Sequence, residues 1–125
     1  MRETWVLVAD AGRARVYLAD PSLSAFQLVT AMDSGASRRP TNAPGGRLDP
    51  LEAAHAAFAR EVATYLHESV DRYTSLVIAA PPGFLGFLRH ALSSAVSSRV
   101  TRIVNRDFTL AHLEELPALF RAHAA

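Results

Sequence analysis

Leu76, Val77, Ile78, Ala79 and Ala80 form an apolar run without polar alternation that stops at Pro81-Pro82. Such a run predicts a strand buried on both faces, the pattern of a central strand in a parallel α/β sheet. Thr4 to Ala9 reads the same way and ends at Asp10. Asp10-Ala11-Gly12 supplies turn chemistry, and Ala14 to Leu18 predicts a second strand paired with the first in a hairpin. After another turn at Asp20-Pro21-Ser22, Phe26, Leu28, Thr30 and Met32 alternate with Gln27, Val29 and Ala31. This third strand completes a meander.

From Asp33 to Asp49 the periodicity vanishes, and the sequence DSGASRRPTNAPGGRLD holds three Gly and two Pro. A flexible loop of this length inside a compact domain is usually functional or disordered. It ends in Asp49-Pro50-Leu51-Glu52, with Asp as N-cap, Pro at the first helical position and Glu placed to reach back to the cap. The helix predicted from Pro50 to about Val70 puts Leu51, Ala54, Phe58, Val62, Tyr65 and Leu66 on one face. Ala53, Arg60, Ala63, His67 and Glu68 fall opposite or on its flanks. Beyond the Leu76 strand, Phe84, Leu85, Leu88, Ala91, Leu92, Ala95 and Val96 predict a second helix with a broad apolar arc. Arg102 to Phe108 predicts a fifth strand, parallel to the Leu76 strand through a right-handed crossover. Thr109 is a candidate cap for the tail, which Pro117 divides into two short helical pieces. The order βββ, loop, α, β, α, β, α predicts one α/β domain over 1–125. Its sheet is a mixed five-stranded one, a meander plus parallel βαβ strands, with helices packed on it in a ribonuclease H-like arrangement.

Composition narrows the class without naming a chemistry. The 125 residues, 50% of them hydrophobic, suffice for one core. With no Cys there is neither a disulfide nor a thiolate zinc site, which fits a reducing, cytoplasmic setting. Neither a signal-peptide pattern nor a membrane-spanning run is present, so no membrane partner is expected. The net charge of +1 is too small to argue for nucleic acid by itself. All thirteen basic residues are Arg, however, and Arg38, Arg39 and Arg47 fall in the one long loop, ahead of Asp49. They are candidate phosphate contacts, weighed against the commoner reading of solvated surface.

Other candidates stand beside simpler readings. Asp10 and Asp107 each end a strand predicted to be interior, where a ribonuclease H-like sheet can hold metal-binding carboxylates; two are too few for a two-metal nuclease, and turn or cap roles compete. His55 lies just past the start of the first helix as a candidate general base, against a role as a satisfied core residue; no second His or Cys sits at ligand spacing, so no metal site is predicted. Gly83-Phe84-Leu85-Gly86 opens a helix after a strand, but it has no phosphate-binding motif, and small residues for close packing are the favoured reading. No cofactor motif is present. Phe87, at the edge of its helix's apolar arc, is a candidate contact for a partner or for a homo-oligomer.

Four segments, VLVADAGRARVYLAD, FAREVATYL, LVIAAPPGFLGFLRHAL and IVNRDFT, together resemble the bacterial host-attachment protein family, named for a presumed role in attachment to host cells. AAPPGFLGFLRHAL is the most specific of these. That family is in turn similar to the middle domain of archaeal and eukaryotic class I peptide release factors, which carries a Gly-Gly-Gln tripeptide in the loop between its meander and its first long helix. The matching loop here contains Gly45-Gly46-Arg47. In release factors the glycines let backbone approach the peptidyl-tRNA ester, and the following residue's main chain helps place a water and stabilise developing charge. Arg47 departs from that pattern with a long cationic side chain, and these residues include no codon-reading or GTPase-recruiting domain. The resemblance therefore implies a ribosome- or RNA-associated binding module. Peptidyl-tRNA hydrolysis by Gly45, Gly46 and Arg47 in ribosome rescue, and a non-enzymatic role in surface attachment, are the alternatives.

Overall fold

A computed structural model describes residues 3–34 and 50–123. Three strands, β1 (Thr4–Ala9), β2 (Arg13–Ala19) and β3 (Phe26–Asp33), form the expected antiparallel meander. Helix α1 (Pro50–Glu68) follows, then β4 (Ser75–Ala79), parallel to β1. Two helices, α2 (Pro82–Ala91) and α3 (Ser94–Ser97), lead to β5 (Val100–Val104), parallel to β4. A 3₁₀ turn (Leu113–Glu115) and α4 (Leu116–Ala122) close the described chain. The sheet order is β3-β2-β1-β4-β5. This is the mixed five-stranded sheet predicted, with β1 rather than the Leu76 strand at its centre and β5 at an edge.

Each face of the sheet has its own core. Trp5, Leu7 and Ala9 of β1 point to one side, where Phe58, Val62 and Leu66 of α1 and Phe84, Leu85 and Leu88 of α2 cover them. Val6 and Val8 point to the other, against Phe108, Leu116 and Phe120. All six residues of β1 are buried, as the unbroken apolar run requires. On α1 the buried face includes Ala63, which the helical pattern had placed outside, while Leu51 at the first turn is 60% exposed.

Three boundaries differ from the pattern for physical reasons. Strand β5 ends at Val104 instead of Phe108. Its ladder finishes when the Ala80 amide donates to the Val104 carbonyl at 3.1 Å, because the next partners, Pro81 and Pro82, have no amide to give. The helix expected through Val96 breaks at Leu92, which is extended. Ser93 then caps α3, its hydroxyl accepting from the Val96 amide at 3.3 Å. In the tail Pro117 starts α4 more than it interrupts a helix, since a missing amide costs nothing in the first turn.

The β2–β3 turn is held by its own acid. The Asp20 carboxylate accepts from the Ser24 and Ala25 amides at 2.8 and 2.9 Å and from the Ser22 and Ser24 hydroxyls. These bonds lower its pKa well below the usual carboxylate range, Ser22 first among them. They also hold Leu23 at a φ of 58°, a left-handed conformation otherwise costly for leucine, while its side chain packs into the second core.

Behind the first core, the Tyr73 hydroxyl donates to the Leu66 carbonyl at 2.7 Å. Burial pushes this phenol from its ordinary 10.0 up to about 12, against the opposing influence of Arg99. The neutral phenol is therefore favoured by folding, so its contribution is complete below pH 10 and lost as the pH rises to about 12. Urea unfolding monitored by circular dichroism should show stability falling across that window, and Tyr73→Phe should flatten the fall. An equally steep fall in the variant would assign it to other groups.

Candidate functional site

Because β1 and β4 are parallel, their carboxyl ends open on the same edge of the sheet, the usual place for ligands in α/β folds. A cavity of 580 Å³ lies there, lined among others by Asp10, Arg13, Asp33, Leu51, His55 and Pro81. The β1–β2 turn forms one wall. Asp10 Oδ1 accepts from the Gly12 amide at 2.8 Å and the Arg13 amide at 2.9 Å, while the Asp10 amide donates to the Arg13 carbonyl at 2.9 Å. The end of β3 is tied to this wall by the Ser34 amide, which donates to the Gly12 carbonyl at 3.0 Å. The first two turns of α1 form the opposite wall with Leu51 and His55. The segment 35–49 thus leaves the described structure at Ser34 and rejoins it at Pro50, with Ser34 and Leu51 both on this cavity.

His55 is half-buried and meets the Phe87 ring edge-on, with centroids 6.0 Å apart. It forms no hydrogen bond among the described residues, so it is not a core histidine satisfied by polar partners. It shares the cavity with Asp10. Asp107 is placed differently from its expectation, since β5 is an edge strand and Asp107 lies three residues beyond its end. It is nevertheless linked to Asp10. The Thr109 hydroxyl, on a residue only 1% exposed, contacts both Asp10 Oδ2, at 3.1 Å, and Asp107 Oδ1, and the Thr109 amide donates to Asp107 Oδ1 at 2.9 Å. One hydroxyl proton serves one carboxylate at a time, so the two acids compete for it. The predicted cap Thr109 is the bridge that joins them.

Among the described residues, no three His, Cys, Asp or Glu side chains are grouped to hold a metal ion. Arg13 and Asp33, which the sequence pattern does not single out, also line this cavity. Asp33, the first residue of the expected loop, ends β3 and brings a second carboxylate to the cavity. Arg38, Arg39, Gly45, Gly46, Arg47 and the expected cap Asp49 lie outside the described residues.

Of the packing role expected for Gly83-Phe84-Leu85-Gly86, Phe84 and Leu85 fill their part, wedged into the first core, whereas Gly83 and Gly86 do not serve close approach, since a Cβ added at either would meet nothing within 4 Å. They border a second cavity of 480 Å³ between α1 and α2, with Ala56, Arg60, Phe87 and His90. His67 and His90 are not brought to the first cavity; His67 Nδ1 instead lies 2.9 Å from the Ser93 hydroxyl, joining α1 to the cap of α3.

The meander, the parallel β1–β4 pair and the sheet order β3-β2-β1-β4-β5 give the chain a ribonuclease H-like fold. An archaeal protein is similar over 98% of this chain and 34% of its own, with a TM-score of 0.54 at 10% identity. S. cerevisiae Dom34, a translation termination-like factor involved in RNA quality control pathways and interacting with Hbs1, is similar over 93% of this chain and 36% of its own, with a TM-score of 0.51 at 11% identity. The chain spans about a third of each of these proteins, and at such identities the similarity is one of fold. No curated protein matches in sequence. The chain belongs to the family described as "Protein required for attachment to host cells", whose model matches residues 5–119. No helix of the described residues is long and apolar enough to cross a membrane.

Proposed function

We propose that this host-attachment-family chain is a ribosome- or RNA-associated binding module, working in the cytoplasm through the segment that carries Arg38, Arg39 and Arg47. The observation that carries this reading is the placement of the segment's anchors, Ser34 and Leu51, on one cavity at the carboxyl ends of β1 and β4, where Arg13 adds a further cation. The fold shared with a translation termination-like factor supports the choice of partner. Arginine suits the task because its planar fork binds phosphate oxygens in pairs.

Salt titration of binding to ribosomal RNA tests it. The apparent affinity should fall steeply with salt, and Arg38→Ala with Arg39→Ala should reduce the logarithmic salt slope by about 1.4 to 1.8, the loss expected for two phosphate contacts. Unchanged affinity and slope in that variant would remove these residues from the interface. Peptidyl-tRNA hydrolysis rests on Gly45-Gly46-Arg47, and release of labelled peptide from stalled ribosomes tests it. Release that Gly46→Ala abolishes would make the module an enzyme, whereas none above background leaves binding alone. Absence of both RNA binding and release would favour the role in surface attachment.

A further inference from the structure

The two edges of the sheet are built differently. The β5 edge is five residues long and carries Arg102, whose guanidinium donates to the Phe120 carbonyl at 2.7 Å. Short length and charge are ordinary protections of an edge strand. The β3 edge is eight residues long, and from Phe26 to Met32 it has no charge and no proline. Among the described residues no strand pairs with its outer side. Leu28 on it is 51% exposed, and the neighbouring 3₁₀ turn carries Leu113 at 41% exposed. Exposed apolar side chains and an unguarded ladder thus occur together.

The strand is also matched to itself. Its register against β2 passes from Tyr17↔Leu28 to Val16↔Thr30, so Val29 is an extra, bulged residue. A two-fold axis perpendicular to the sheet between Val29 and Thr30 would oppose Leu28 to Ala31 of a second copy, Gln27 to Met32 and Phe26 to Asp33. Without the bulge, residues an odd number apart would lie on opposite faces and this pairing would fail. With it, Leu28 and Ala31 share a face, as their partners Tyr17 and Arg15 on β2 do. No like charges meet in this register.

We infer that two copies of this chain associate through antiparallel pairing of their β3 strands, giving one continuous ten-stranded sheet across the two-fold axis. Backbone hydrogen bonds form the seam, and Leu28 from each copy is covered beside it. This association is independent of the RNA-binding reading.

Sedimentation equilibrium over a wide range of concentration tests the inference with two double variants at exposed positions. Leu28→Glu with Ala31→Glu opposes like charges twice across the axis, whereas Leu28→Glu with Ala31→Lys opposes unlike charges at the same places. The native chain should reach twice the monomer mass. The first variant should weaken association about tenfold, from two unfavourable cross-strand pairs, and the second should retain it, with circular dichroism confirming that both are folded. A native chain that stays monomeric throughout overturns the inference. So does a dimer whose affinity is the same in the two variants, because the β3 register would then not set it.

Discussion

Replacing Trp5 by alanine is expected to destabilise the domain by about 4 kcal/mol, the upper range for removing a large aromatic side chain from a packed core. Trp5 is 1% exposed on the central strand, between Leu18 of β2 and Leu76 of β4. Its indole lies 5.0 Å from the Tyr73 ring and 6.2 Å from the Tyr65 ring, with the Arg72 guanidinium 5.0 Å above it. Alanine would leave a cavity that two rings and a strand on each side cannot collapse to fill. Domains of this size are stable by about 5 to 15 kcal/mol, so much of the total would be lost. Trp5→Phe retains a ring and should cost about 1.5 kcal/mol. Trp5 is the single tryptophan of the chain, so urea unfolding must be followed by circular dichroism. A loss below about 1 kcal/mol in Trp5→Ala would show that the site repacks.

That the interior of the sheet was legible from the sequence follows from the same residues. Trp5 to Ala9 and Leu76 to Ala80 have no polar alternation because both faces of β1 and β4 are covered. Single-residue turn signals, Asp10-Ala11-Gly12 above all, then separate the strands of the meander. Boundaries were legible only where the decisive partner is local. Nothing within Arg102 to Phe108 says that β5 stops at Val104; the reason lies in Pro81 and Pro82 on the neighbouring strand. The break at Leu92 was hidden similarly, because the apolar arc continues through Val96 while one Ser93 hydroxyl redirects the backbone.

The site was legible by residue more than by assembly. Asp10 and His55 stand out in the sequence only singly, as candidates each with a simpler role beside it, and the parallel alignment of β1 with β4 and α1 brings them to one cavity. Asp107 was linked to Asp10 for a mistaken reason. Its strand is at the edge, and the link passes through the buried Thr109 hydroxyl, a contact across 99 residues of sequence that no local spacing could reveal. Gly83 and Gly86 show the converse. In sequence a small residue after a strand suggests close packing, yet here the space above each is empty.

Asp10→Ala is expected to cost about 2 to 3 kcal/mol, since the carboxylate holds two turn amides and meets the Thr109 hydroxyl, and hydrogen bonds to a charged group are the stronger kind. Thr109→Val should cost about 1 to 2 kcal/mol by removing the hydroxyl alone. Because the two side chains touch, the double variant should lose less than the sum, with a coupling of about 1 kcal/mol in a double-mutant cycle. Strict additivity would mean that the bridge contributes nothing. Asp10→Asn separates the turn from the charge, because the amide oxygen can still accept from Gly12 and Arg13 while the negative charge leaves the cavity. If the cavity faces RNA phosphates, as proposed, this variant should bind RNA about twofold more tightly at low salt, with the gain screened away at high salt. A carboxylate needed for chemistry would give the opposite result. Activity would then fall with Asp10→Asn even where the turn and the fold are intact, and Asp10 would belong to the reacting groups of the cleft instead of its framework.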